Sequence, residues 1–307
     1  MPELPEVETI ARGLAKRVTG DAIESVWLGQ KKEPLKSTAQ EIAAVLEHSR
    51  ISRVHRMGKH IVFELELTPP PPTNRKKPPR KVRLGEAAGN TTSAVARGGA
   101  RPTHSDSGKA QWIVHLGMTG RLQVCEPSAE VEKHTHAVVK LESGRELRFV
   151  DPRRFGRLSV AATGEFDTAG IEPLEIDLEK FISLFRGRKT PMKSALLNQK
   201  LLRGVGNIYA DESLFRAGIR PRRKAASVTR GQLGKLFVAI QEVLTEAIAL
   251  GGSSISDYVD ADGEEGFFQL QHRVYGREGE PCLVCKTPIK RVVIAGRSSH
   301  YCPKCQK

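Results

Sequence analysis

The sequence predicts an α+β protein: a helix leading into an antiparallel β-sandwich, then a helical domain, then a small β-hairpin tail bracketed by cysteines. Three observations carry that prediction. From Ile23 to Ala161, short apolar stretches alternate with polar residues and are separated by Gly, Pro and Ser, the pattern of half-buried strands. Beyond residue 176 apolar residues recur at the three- and four-residue spacing of helices instead. Four of the five cysteines fall between Cys282 and Cys305 as two CxxC pairs.

Taken in order, Pro5–Val18 is expected to be helical, because Val7, Ile10, Ala11, Leu14 and Val18 share one face. Pro5 suits the first helical position, and Glu6 and Glu8 complement the positive end of the helix dipole. A second helix is expected at Thr38–Glu47. The expected strands are Ile23–Leu28, Ile51–His55, His60–Leu67, Gln111–Leu116, Leu122–Cys125, Ala137–Leu141, Leu147–Val150 and Leu158–Ala161. Thr68–Lys109 interrupts them with four consecutive prolines, the basic run Arg75–Lys81 and a Gly-, Ala-, Ser- and Thr-rich tract. Such a stretch buries little apolar surface and reads as a flexible, solvated insertion.

The later helices are expected at Leu178–Phe185, Met192–Leu202, Ile208–Arg216 and Thr229–Leu250. Thr229 and Gln232 form a capping box for the last, and Gly251-Gly252 ends it. In Gly204-Val205-Gly206-Asn207, Asn207 is the expected N-cap, with glycines leaving room for a phosphate at the helix N-terminus. Sixteen residues separate Cys285 from Cys302, which fits a hairpin turning near Gly296 and four thiolates converging on one zinc. Cys282, Cys285, Cys302 and Cys305 would close the coordination shell, so the zinc is structural and leaves no position for a reactive water.

The 307 residues suffice for more than one domain, and 39% hydrophobic content marks a folded chain. Lys plus Arg number 49 against 35 acidic residues, a net charge of +14, which points to a polyanionic partner, nucleic acid before a membrane surface. No apolar run reaches the roughly 20 residues of a membrane span. No export signal is visible, so the cysteine pairs are read as metal ligands rather than disulfides, and the protein as cytoplasmic.

Pro2 raises a chemical possibility. Removal of Met1 would expose a secondary amine, whose pKa near 8 leaves a useful unprotonated fraction at neutral pH. Attack by that amine on a sugar C1′ gives an iminium, and the neighbouring Glu3 could move the proton. Most proteins that begin Met-Pro use the proline for nothing, so this reading needs support from elsewhere in the chain.

That support is a set of ordered blocks. Met1-Pro2-Glu3-Leu4-Pro5-Glu6-Val7-Glu8-Thr9 resembles the start of the bacterial formamidopyrimidine-DNA glycosylases. The resemblance continues in Met57-Gly58-Lys59-His60, in His115-Leu116-Gly117-Met118-Thr119-Gly120 and in Asp151-Pro152-Arg153-Arg154-Phe155-Gly156. It extends through Gly204 to Glu212, Gly251 to Ser254, Val274 to Arg277 and Arg297 to Gln306, leaving only the Thr68–Lys109 insertion without a counterpart.

The resemblance implies a three-part chain: a catalytic β-sandwich over 1–165, a helix–two-turn–helix domain over 176–272 and a zinc finger over 273–307. It implies a glycosylase and abasic-site lyase of base excision repair acting on oxidised purines in double-stranded DNA, as a monomer carrying one structural zinc. Pro2 would be the nucleophile, Glu3 the general acid, Lys59 the support for β-elimination, and Arg297 a phosphate ligand assisting δ-elimination. Met118 and Phe155 would fill the gap left by a flipped base, and Arg153 would face the unpaired cytosine. His115, His134, Arg188 and Asn207 would lie near phosphates or the bound strand. Two other readings compete: an endonuclease VIII-type glycosylase for oxidised pyrimidines, and a non-catalytic zinc protein that binds damaged DNA. The complete N-terminal string and the long Gly252–Gln271 segment favour the purine enzyme over the first. Intact Pro2, Glu3 and Lys59 argue against the second. One departure from the family pattern is His300, where an aromatic residue is common; little effect on the chemistry is expected from it.

Overall fold

The computed structural model describes residues 1–29, 33–67, 108–253 and 266–307. Helix α1 (Leu4–Val18) opens the chain, and Glu3 N–H donates to Glu6 Oε2 at 2.7 Å to close its first turn. Strand β1 (Ile23–Leu28) and helix α2 (Ala39–Leu46) follow, the latter capped by Thr38 and Glu41 in a reciprocal box. Six of the remaining strands build the sandwich with β1 and each other: β2 (Ser49–Met57), β3 (His60–Leu67), β4 (Lys109–His115), β5 (Arg121–Cys125), β6 (Thr135–Leu141) and β7 (Glu146–Val150). Strand β8 (Arg157–Ala162) completes it.

Two antiparallel sheets result, ordered β1-β6-β7-β5 and β2-β3-β4-β8. Their inner faces share one core in which the Phe63 and Trp112 rings lie 4.7 Å apart. The α+β sandwich expected from the alternation is present. Of the expected insertion, residues 68–107 lie outside the described residues, whereas Lys109 already belongs to β4.

The helical part consists of α3 (Leu178–Phe185), α4 (Met192–Leu196), α5 (Asn207–Arg216) and α6 (Arg230–Ala249). These surround a second core that includes Phe181, Phe185, Tyr209, Leu236 and Phe268. Leu4 belongs to this core, while Val7, Ile10 and Leu14 belong to the sandwich core. Helix α1 therefore joins the two cores, and the start of the chain is held at their junction.

The expected helix Met192–Leu202 stops at Leu196. Beyond it, Gln199 Nε2 donates to the carbonyls of Leu197 and Val205, and Gln199 Oε1 accepts from Gly204 N–H, which wraps the chain into a turn. Leu201 and Leu202 still reach the core, so their apolar spacing reports burial and not helical backbone.

Strands β9 (Lys290–Ile294) and β10 (Arg297–Tyr301) form the tail hairpin. Its two-residue turn, Ala295-Gly296, has φ of +48° and +75°, matching the right-handed twist of the strands.

A buried ionic brace ties the sandwich to the helical part. Arg56 donates to Glu8 Oε2 at 2.7 Å and to both oxygens of Glu172 at 2.7 and 3.0 Å, and Arg203 Nε reaches Glu172 Oε2 at 3.2 Å. Arg56 also donates to the Gly58 carbonyl at 3.2 Å, which steadies the β2–β3 turn immediately before Lys59. Among the described residues no helix is long and apolar enough to cross a membrane.

Candidate active site

The N-terminus is clamped from both sides. Leu4 N–H donates to the Gly204 carbonyl at 3.0 Å, and Glu3 Oε1 accepts from Ile208 N–H at 3.2 Å at the start of α5. Glycine is required for that approach: a Cβ on Gly206 would stand 2.1 Å from the Glu3 carboxyl carbon, and one on Gly204 would stand 2.8 Å from Leu4 Cδ1. The glycines expected to admit a phosphate thus make room for residues 3 and 4. Gly206, not Asn207, is the N-cap of α5; Asn207 sits in the first turn and donates from Nδ2 to Ser298 Oγ at 3.2 Å.

Glu3 is 4% exposed, and its Oε2 has no hydrogen-bond partner. Burial pushes its pKa up to about 7, against the opposing pull of Lys59 and with a smaller push from Glu6. A carboxyl poised there is half protonated at neutral pH, which suits an acid that must give and regain a proton. Pro2, directly before it, is half-buried. Glu6 is buried as well and accepts from Glu3 N–H, from Ser253 N–H at 2.8 Å and from the Tyr209 hydroxyl.

Lys59 enters from the β2–β3 turn, where Gly58 has φ of +60°, and is itself buried. That burial lowers its pKa from the usual lysine value; Glu3 and Glu6 act in the opposite sense, and Arg297 reinforces the lowering. Lys59 is therefore within electrostatic reach of both Glu3 and Arg297, although the three come from the chain start, the sandwich and the tail hairpin.

Arg297 opens β10, and the strand beside it is anchored by a wholly buried pair. Lys193 Nζ donates to Asp211 Oδ1 and to the Ser298 carbonyl, both at 2.7 Å. Asp211 also accepts from Ser299 Oγ at 3.2 Å and from His300 N–H at 2.8 Å. Next to it on α5, Glu212 accepts from the backbone N–H groups of Arg273, Val274 and Tyr275, fixing the entry to the tail.

Met118, Arg153 and Phe155 come together on two adjoining turns. Asp151, fully buried, accepts from Thr119 Oγ1 at 2.6 Å and from Gly156 N–H at 2.7 Å. Gly117, at φ +68°, lies so close that a Cβ there would be 2.4 Å from the Phe155 carbonyl carbon. The turns hold Met118 43% and Phe155 51% exposed, and the Arg153 guanidinium lies 4.9 Å over the Phe155 ring.

His115 accepts from Gly117 N–H through Nδ1 at 3.1 Å and lies 4.9 Å from the His60 ring. Burial, helped by His60 and Lys59, lowers its pKa to about 4, so it meets a ligand as a neutral ring. His134 is exposed, and its carbonyl accepts from Asp151 N–H at 3.0 Å. Arg188 lies elsewhere, on the α3–α4 loop, where its side chain turns back on the Leu184 carbonyl. Among the described residues no hydrogen bond or ion pair joins it to the other site residues.

Sequence reasoning missed Glu6, Arg56, Asp151, Lys193, Asp211 and Glu212. The Glu3-x-x-Glu6 spacing carried a capping-box signal, and Asp151 sat in a block already singled out. Lys193 had none, since its partners lie 18 and 105 residues away.

The four tail cysteines place their sulfurs within 4.8 Å of one another, with Cys285–Cys302 at 3.4 Å and Cys282–Cys305 at 3.9 Å. A tetrahedron with zinc–sulfur bonds of about 2.3 Å has edges of about 3.8 Å, so this donor set fits one structural zinc. Cys282, Cys302 and Ile289 also form a small core with Phe215 of α5, which couples the metal site to the helical part.

Comparison with known proteins agrees across the chain. Residues 1–158 match the model of the formamidopyrimidine-DNA glycosylase N-terminal domain, 170–259 that family's H2TH domain, and 279–307 a zinc finger found in FPG and IleRS. A formamidopyrimidine-DNA glycosylase of Solibacter usitatus is 44% identical over 309 residues, covering 100% of both chains. One of Gluconobacter oxydans is 38% identical, again over 100% of both. Among solved structures, the MutM (FPG) protein of Thermus thermophilus aligns with a TM-score of 0.77 at 37% identity, covering 99% of this chain and 98% of that one. A Lactococcus lactis FPG in complex with a Fapy-dG containing DNA aligns with a TM-score of 0.79 at 29% identity, covering 99% and 100%.

Proposed function

The chain belongs to the formamidopyrimidine-DNA glycosylase family, and on that premise we propose that it is a bifunctional glycosylase and abasic-site lyase of base excision repair, acting on oxidised purines in duplex DNA. Related chains captured with Fapy-dG and with carbocyclic 8-oxo-G DNA support this substrate class over oxidised pyrimidines. The observation that carries the reading is the Glu3 carboxyl, buried beside Pro2 at the domain junction with a pKa of about 7 and faced by Lys59.

With Met1 removed, the Pro2 nitrogen attacks C1′ of the flipped nucleotide. The C1′–base bond breaks, its electron pair leaves with the base, and Glu3 supplies a proton. The Pro2 nitrogen then gives up its proton, its lone pair expels O4′, which takes up a proton as the sugar ring opens, and the resulting C1′ iminium acidifies the C2′ hydrogen. Its loss expels the 3′ phosphate in β-elimination, supported by Lys59, and a second elimination expels the 5′ phosphate, with Arg297 as phosphate ligand. Met118 and Phe155 occupy the gap in the duplex, and Arg153 addresses the unpaired base. His115, His134, Arg188 and Asn207 serve the backbone phosphates. Cys282, Cys285, Cys302 and Cys305 would hold a zinc that keeps the tail hairpin rigid, so that β10 presents Arg297 within electrostatic reach of Lys59.

We take the units as 1–165, 176–272 and 273–307, with 68–109 as an insertion, and the protein as a cytoplasmic monomer on DNA. Borohydride reduction during reaction with an 8-oxoguanine·cytosine duplex should trap a covalent adduct on Pro2. A matched oxidised-pyrimidine duplex should trap less. An adduct mapped to any other residue would overturn the mechanism.

A further inference from the structure

His272 lies outside the catalytic set, half-buried between aromatic neighbours, its ring 5.6 Å from Phe268 and 5.6 Å from Tyr275. Packing alone would be served by an aliphatic residue. What a histidine adds is Nε2, which lies 3.2 Å from Ser253 Oγ. Ser253 N–H donates to Glu6 Oε1 at 2.8 Å, and Glu6 Oε2 accepts from Glu3 N–H at 2.7 Å. A continuous string of hydrogen bonds thus runs from the imidazole to the backbone of the acid next to Pro2. Gly252 keeps the string short: a Cβ there would stand 2.9 Å from the Glu6 side chain. On its other side, the His272 ring packs on Tyr275.

We propose that His272 is a positioning residue for base excision, holding Ser253 and through it Glu6 so that Glu3 meets the departing base in the correct place. Burial lowers the ring's pKa to about 4, so the link stays neutral and unchanged across the working pH range. The inference rests on the glycosylase reading and concerns one of its two reactions. Base release needs Glu3 as an acid, whereas strand cleavage at a preformed abasic site has no base to release.

His272→Leu fills the same space without the nitrogen. It should lower kcat for excision from an 8-oxoguanine·cytosine duplex about tenfold with little change in KM, as small displacements of a catalytic group do. Cleavage of the same duplex carrying a preformed abasic site should stay within about twofold of wild type. His272→Gln, whose amide can reach Ser253, should restore excision to within about threefold. Ser253→Ala, which cuts the same bond from the other end, should reproduce the Leu split. Equal loss in both reactions, wild-type excision by His272→Leu, or no rescue by His272→Gln would overturn the proposal. Failure of the wild-type protein itself to excise the base would count against the assigned function instead.

Discussion

Replacing Glu3 by glutamine tests the central electrostatic claim on stability as well as activity. The unfolded chain loses the Glu3 proton near the ordinary carboxylate value of 4.5, while the folded chain keeps it until about 7. A raised carboxyl pKa means that the stability contributed by the protonated form is present in acid and is lost as pH rises through this window. At about 1.4 kcal/mol per pH unit, the buried carboxylate costs the folded protein about 3 kcal/mol at pH 8 and less than about 1 kcal/mol at pH 5. Glutamine cannot ionise, yet its carbonyl can still accept from Ile208 N–H. Glu3→Gln should therefore be more stable than wild type by about 3 kcal/mol at pH 8, with most of that advantage gone at pH 5. Denaturant unfolding followed by circular dichroism at the two pH values measures the difference. Base excision should be lost, since the amide has no acidic proton, and wild-type excision should decline as pH rises past about 7. An advantage independent of pH, or a variant less stable than wild type at pH 8, would refute the assignment of a desolvated acid.

Three further outcomes are expected. Gly206→Ala should lower excision by about 100-fold with secondary structure retained, because its Cβ would displace the Glu3 carboxyl from the α5 terminus; excision within twofold of wild type would contradict the packing. Lys193→Met should destabilise the protein by about 3 kcal/mol in denaturant unfolding, because it leaves the buried Asp211 charge without its cation; an unchanged midpoint would show the pair to be dispensable. Chelation should release one zinc per chain, measured by metal analysis, and should abolish duplex binding; a metal-free chain that binds as tightly as the loaded one would remove the structural role of the site.

Much of the fold was legible because burial leaves a period in the sequence. Strands β1 and β3 and helix α3 have the bounds their apolar spacing predicts, and the Thr229 cap marks the start of α6. The misreadings share one cause. Leu201 and Leu202 kept a helical spacing because they are buried, while the Gln199 side chain bends their backbone into a turn. Asn207 was a sound cap by local chemistry, but the Glu3 carboxyl, 205 residues before Ile208, occupies the helix end first. Hydrogen bonds of that range leave no local signature.

By itself the sequence carried which elements form, the four-cysteine metal set and, through its ordered blocks, the proposal of Pro2, Glu3, Lys59 and Arg297 as the reacting residues. Only the tertiary structure decided what those residues can do. The pKa of Glu3 depends on how much water is excluded around it, and the position of Arg297 depends on the Lys193–Asp211 pair. Desolvation and long-range charge are properties of the assembled junction, where one helix belongs to both cores and carries the chain start between them.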